Sequence, residues 1–235
     1  MTRKQRLLFA LILLIAGMAS GTVAINNYRI EKAAEDQFQE IREQVAITAE
    51  ESVSEEGGYQ PPQGLQDLMD ANSAVIGWLQ IGDTNIDYPI VQNREDNEWF
   101  LHRDIDGNES RPGSIYMDSM HDINVEGMHI IYGHHMKNGT MFKDIYRFLD
   151  VEYMEEHQDI TIWTDRREIR LEPLYCYSGK EDSTYHLDLD TQEKLEAFLL
   201  KKTDMHISAK DVFVFITCSY KQKDGRCYLI CGRME

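Results

Sequence analysis

Three residues that lie far apart in the chain share one setting, the point where an apolar run gives way to polar residues. Cys218 follows the run 212–217 and precedes Ser219, Tyr220 and Lys221. A thiol at the end of a buried strand is held by the sheet while its sulfur meets solvent, the placement a nucleophile needs. His134 follows Ile130, Ile131, Tyr132 and Gly133, so it stands at the mouth of another apolar run. Imidazole exchanges a proton near neutral pH, and beside a thiol it completes an acid/base and nucleophile pair. Arg226 opens the last apolar run, eight residues after Cys218 and just past the turn Lys223, Asp224, Gly225. In a hairpin the returning strand brings Arg226 beside the thiol, where a guanidinium holds a carbonyl and stabilises charge developing on it. Each residue alone has a plainer explanation: a core cysteine, a capping or surface histidine, a solvated arginine. The argument rests on the three together.

Strands must position them. Short β-branched or aromatic runs bounded by Gly, Asn, Asp or Pro occur at 78–81, 86–91, 114–117, 128–132, 159–163, 168–177, 212–217 and 226–232. Eight such runs predict a mainly β fold, a closed or nearly closed barrel with peripheral helices. Helical periodicity interrupts them at 65–74, at 141–157 in one piece or two, and at 191–205, where Leu195, Phe198, Leu199 and Lys202 share a face.

The N-terminus differs in kind. Arg3, Lys4 and Arg6 precede the charge-free run 7–25, close to the roughly 20 residues that cross a bilayer as a helix. The basic flank places residues 1–6 in the cytoplasm and the rest outside, with 7–25 as a single-pass signal anchor in the cell membrane. A cleaved signal peptide is the alternative, but its apolar core usually runs only about 7 to 15 residues. In 26–64, Ala34, Phe38, Ile41, Val45 and Thr48 form a narrow stripe on a helical stalk expected to pack on the domain, and 51–64 is a Gly- and Pro-containing linker. The folded domain is then 65–235.

Composition excludes other classes. The 235 residues carry 24 Lys and Arg against 41 Asp and Glu, a net charge of −17, which repels nucleic acid. With the three N-terminal basic residues set apart, 21 positive charges face 41 negative, so the exported part stands at −20; general solvation is the ordinary meaning of such a surface. Four cysteines are too few for a disulfide scaffold and lack zinc spacing. They read as single thiols, with Cys176, Cys227 and Cys231 in the core. Cys227 and Cys231, four apart on one strand, stand about 13 Å apart and cannot bridge each other.

These features together resemble the sortases, membrane-anchored cysteine transpeptidases of Gram-positive bacteria with a TLxTC strand, an earlier Gly-His strand end and an arginine on the last strand. The likeness is to class B, through GWLQI at 77–81, IDYPIVQ at 86–92, DNEWFLHRDIDGNESRPGSIYMD at 96–118, YGHHMKNGTMF at 132–142 and a helix from Thr191 before the cysteine strand. The resemblance implies an eight-stranded sortase-type β-barrel behind a membrane anchor. It implies Cys218 as nucleophile, His134 rather than His135 as acid/base, and Arg226 as oxyanion and substrate-positioning group. Asn97, Leu101 and Thr217 fall at substrate-binding positions. The partners it implies are secreted proteins with a C-terminal sorting signal, acceptor amines of peptidoglycan-precursor peptide or pilin lysine, and the membrane; no metal or cofactor is called for. Ile216 departs from the family's usual small hydroxyl residue two before the cysteine. Two other classes fit less well. A papain-like or wall-peptide hydrolase has its cysteine before its histidine and at a helix start. A non-enzymatic surface module has no reason to gather Cys, His and Arg at one barrel end.

Overall fold

In a computed structural model of the chain, described over residues 2–45, 58–181, 191–219 and 224–234, each of the eight apolar runs is a strand. They are β1 (Val75–Ile81), β2 (Asp87–Val91), β3 (Ile115–Met117), β4 (Gly127–Tyr132), β5 (Ile160–Trp163), β6 (Glu168–Lys180), β7 (Ala209–Ser219) and β8 (Gly225–Met234). The sheet closes in the order β1-β2-β3-β4-β7-β8-β6-β5. The pairs β2/β3 and β4/β7 are parallel. The central strand β7 is apolar on both faces because both are covered. Phe213 and Phe215 belong to the larger apolar cluster, whereas Val212, Val214 and Ile216 pack with Leu195, Phe198 and Leu199.

Several strands run beyond their apolar segments. Ser178, Gly179 and Lys180 extend β6 because Cys227, Arg226 and Gly225 of β8 supply ladder partners, a contribution no local propensity carries. The helices are trimmed. Among the helices, α2 (Gln63–Ala71) stops before 74, because Asn72 turns extended and its side-chain oxygen accepts from the Ala74 amide at 3.0 Å. The stretch 141–157 divides into a 3-10 helix η2 (Phe142–Leu149) and α3 (Val151–Glu156). Between them Asp150 accepts from the Glu152 amide at 3.1 Å and caps the second piece. In α4 (Gln192–Thr203), Leu195, Phe198 and Leu199 are buried as the spacing requires. Lys202 instead lies over the Tyr177 ring at 5.7 Å. A further 3-10 helix, η1 (Trp99–His102), has no counterpart in the sequence reading.

The apolar run 7–25 and the stalk stripe share one uninterrupted helix, α1 (Arg3–Val45), with one segment long and apolar enough to cross a membrane. Its exposed apolar half gives way to a half that docks on the barrel. Ala34, Phe38, Ile41 and Val45 are buried, Phe38 meets the Tyr88 ring edge-on at 5.2 Å, and Glu31 pairs with Arg111 at 2.9 Å. Thr48 and residues 51–57 of the linker lie outside the described residues.

One expectation about the cysteines is corrected. Cys176 on β6 does not stand singly, since its sulfur is 3.8 Å from that of Cys227 on β8. The register pairs Ser178 with Cys227 and Cys176 with Leu229, so the two thiols are diagonal neighbours on one face. Strand order brings them together across 51 residues of sequence. All four cysteines are free thiols.

Candidate active site

Register alone brings the three candidate residues together. In the parallel pair β4/β7, Tyr132 stands beside Ile216, and the Gly133 amide still donates to the Ile216 carbonyl at 3.1 Å beyond the strand end. Two residues further along each chain come His134, just past the end of β4, and Cys218, still within β7. On the other side of β7, Cys218 is the direct partner of Arg226 on β8, so their side chains share a face. Three neighbouring strands therefore deliver imidazole, thiol and guanidinium to one barrel mouth. Gly133 is required here by crowding: a Cβ would lie 2.5 Å from Ile115 Cδ1 and 2.7 Å from the Phe142 ring.

A cavity of about 250 Å³ opens at this mouth, and His134, Cys218, Arg226, Asn97, Leu101 and Thr217 all line it. His134 is half-buried, and its Nε2 is 2.9 Å from the Leu101 carbonyl. A carbonyl only accepts, so Nε2 carries the hydrogen and Nδ1 is left to exchange a proton. Burial lowers the pKa of His134; the Leu101 contact opposes this, and the charge of His102 adds to it. The Leu101 carbonyl has room because residue 113 is glycine, with φ +61° and no Cβ to meet that oxygen at 2.3 Å.

The remaining sequence candidates hold different positions. The Asn97 amide is engaged at both ends: its Nδ2 donates to Asp118 Oδ2 at 3.1 Å, and its Oδ1 accepts from the Ser119 amide at 2.7 Å. Thr217 is 2% exposed, and its hydroxyl has no hydrogen-bond partner among the described residues. Ile216, the departure from the family motif, is part of the cavity wall. His135 does not line the cavity. Its ring packs on Tyr146 at 5.7 Å and it hydrogen-bonds the Cys218 backbone, while burial first and Lys143 second lower its pKa.

Tyr116, Tyr132, Tyr228, Glu98 and Glu181 complete the lining and were not singled out from sequence. Tyr116 and Tyr132 stack at 5.2 Å, and the Tyr132 hydroxyl donates to Asp118 Oδ2 at 3.2 Å. Burial chiefly, then nearby carboxylates, push both phenols well above their ordinary range, so they are neutral hydrogen-bonding groups. Alternation along β3 and β4 was the available signal, but it does not tell which aromatic faces a mouth. Chemically the site brings a thiol, an imidazole and a guanidinium to one cavity with an apolar and aromatic wall, groups whose types suit acyl transfer.

Comparison with known proteins gives the family. The sequence model of the sortase domain matches residues 79–233. Sortase B of Listeria monocytogenes is 31% identical over 170 residues, which span 68% of this chain and 68% of that protein. Two solved structures share the fold. One is the Staphylococcus aureus sortase B-substrate complex, with TM-score 0.74 and 20% identity over 86% of this chain and 96% of that one. The other is sortase B from Bacillus anthracis in complex with AAEK1, with TM-score 0.72 and 24% identity over 88% of this chain and 99% of that one. With the barrel and the matched span in agreement, the chain belongs to the sortase family of cysteine transpeptidases, in class B.

Proposed function

We propose that this chain cleaves a C-terminal sorting signal of secreted proteins through a thioester on Cys218. It then transfers the new carboxyl end to an amine of peptidoglycan-precursor peptide or of a pilin lysine. The observation that carries this reading is the register that brings His134, just past the end of β4, together with Cys218 of β7 and Arg226 of β8 at one cavity.

The Cys218 thiolate attacks the scissile carbonyl carbon, and its electrons move onto oxygen. Arg226 donates to that oxygen from a fixed direction and stabilises the tetrahedral anion. His134, protonated on Nδ1, gives that proton to the departing amine as the carbon–nitrogen bond breaks, leaving the thioester. An incoming amine attacks the same carbon, His134 takes its proton, and the thiolate leaves. Held by Leu101 at Nε2, the imidazole turns little between the two proton transfers. Asn97, Leu101 and Thr217 are placed to line the sorting-signal path, with Ile216 giving an apolar wall.

We also assign residues 1–6 to a cytoplasmic tail, 7–25 to a transmembrane anchor, 26–64 to stalk and linker, and 65–235 to the catalytic domain outside the cell. The long apolar segment of α1 supports this division.

The chemical test incubates the full chain in detergent with a library of sorting-signal peptides and weighs the intact protein. A thioester adduct on Cys218, lost in Cys218→Ala and kept in Cys176→Ala, Cys227→Ala and Cys231→Ala, is the expected result. An adduct that survives Cys218→Ala sinks the assignment.

A further inference from the structure

We propose that His102 is a positioning residue for the reaction, a second imidazole that covers one face of the His134 ring and holds its orientation. This rests on the reading of His134 as acid/base.

The geometry has two parts supplied by adjacent residues of η1. Leu101 fixes His134 from the edge through its carbonyl, 2.9 Å from Nε2. His102 fixes it from the face, the ring centroids 5.3 Å apart and the planes inclined by only 22°. That is an offset stack within the usual aromatic range. The hydrogen bond restrains the ring at its edge; a flat neighbour against its face restrains the remaining rotation about the bonded atom. The clamp is held to the barrel by Gly113, which packs against the Leu101 carbonyl, and by the Ser114 amide, 3.1 Å from the Phe100 carbonyl.

The stacking partner is also titratable. His102 is exposed; burial is the main cause that lowers the proton affinity of His134, and the neighbouring His102 adds to it in the same direction. The titratable groups that line the cavity beside His134, namely Glu98, Tyr116, Tyr132, Glu181, Cys218 and Arg226, remain in place when His102 alone is changed. A phenyl ring separates the two contributions, because it keeps a flat face and removes the charge.

The test combines steady-state kinetics on a cleaved sorting-signal peptide with an NMR titration of His134 in the full chain carrying isotope-labelled histidine. His134→Ala identifies the resonance. His102→Ala is expected to lower kcat by roughly five- to tenfold with KM unchanged, a loss typical of a loosened catalytic group. His102→Phe is expected to restore kcat to near wild type, and both variants should move the His134 midpoint upward. Wild-type kcat and an unmoved midpoint in His102→Ala overturn the proposal, as does equal loss of kcat in both variants with the midpoint unmoved. Full activity in His134→Ala instead overturns the reading of the site, while the midpoint still reports whether the stack exists.

Discussion

Arg226 is the residue whose chemistry can be separated most cleanly from its charge. Its neighbour across the ladder is Cys218, so two roles are open to it: a directional donor to the developing oxyanion, or a positive charge favouring thiolate. Guanidinium is a planar fork of donors, whereas ammonium is a compact charge on a flexible stem. In Arg226→Lys the charge is kept and the fork is lost. We expect kcat on a sorting-signal peptide to fall by roughly 10²- to 10³-fold, the range for one oxyanion donor, with circular dichroism unchanged. A lysine variant close to wild type would leave Arg226 as a charge alone. The residues around it were unequally legible. Cys218, His134 and Arg226 stand at strand ends, a position sequence can mark, but Tyr116 and Tyr132 look like ordinary alternating aromatics until the barrel closes.

Among the elements, the barrel end opposite the mouth is pinned by a buried ionic group that joins four of them. Asp211 of β7 is fully buried and binds Arg233 of β8 at 2.6 Å. It also binds Arg167 of the turn between β5 and β6, with nitrogens at 3.0 and 3.1 Å. Arg167 in turn donates to the Ile123 carbonyl at 2.6 Å, fastening the loop before β4. His129 of β4 faces Asp211 at 3.5 Å, between His121 and Phe213. Burial lowers its pKa from the ordinary 6.5, and this outweighs the opposing pull of Asp211. The sign for stability follows from linkage. The unfolded chain takes up a proton near pH 6.5 that the folded chain refuses, so this contribution is full above that pH and is lost as pH falls below it. Asp211, whose folded pKa is depressed below 3.8, adds a second loss only at lower pH, as the pH drops through its folded value. His134 and His135 are lowered in the same direction, so wild type should lose stability between about pH 7 and 5. His129→Phe should show a shallower decline over that interval in urea midpoints. Parallel slopes for the two proteins would remove His129 from the account.

For the whole molecule, α1 has consequences beyond the proposed anchor. A helix that is apolar and exposed over 7–25 and docked on β2 through Phe38 carries its direction from one half into the other. Burying an aromatic side chain of this kind stabilises docking by about 1.5–3 kcal/mol, and the Glu31 to Arg111 pair adds little on an exposed surface. The proposed orientation, with the N-terminus inside, puts the barrel outside the membrane. Protease treatment of intact protoplasts should therefore release it. Full protection until lysis would reverse the orientation.

Sequence by itself determined the strands, the apolar N-terminal run and the three strand-end residues, because each rests on periodicity or on a local change from apolar to polar. Even the face of α4 was fixed by spacing, with Leu195, Phe198 and Leu199 buried together. Only the tertiary structure decided what depends on which strands become neighbours. The pairing of Cys176 with Cys227, the engagement of Asn97 by Asp118 and the stack of His102 on His134 join residues from different elements. The added length of β6 arises in the same way, from ladder bonds to β8. Such contacts carry no local signature, since periodicity records which side of an element is buried and not what it is buried against.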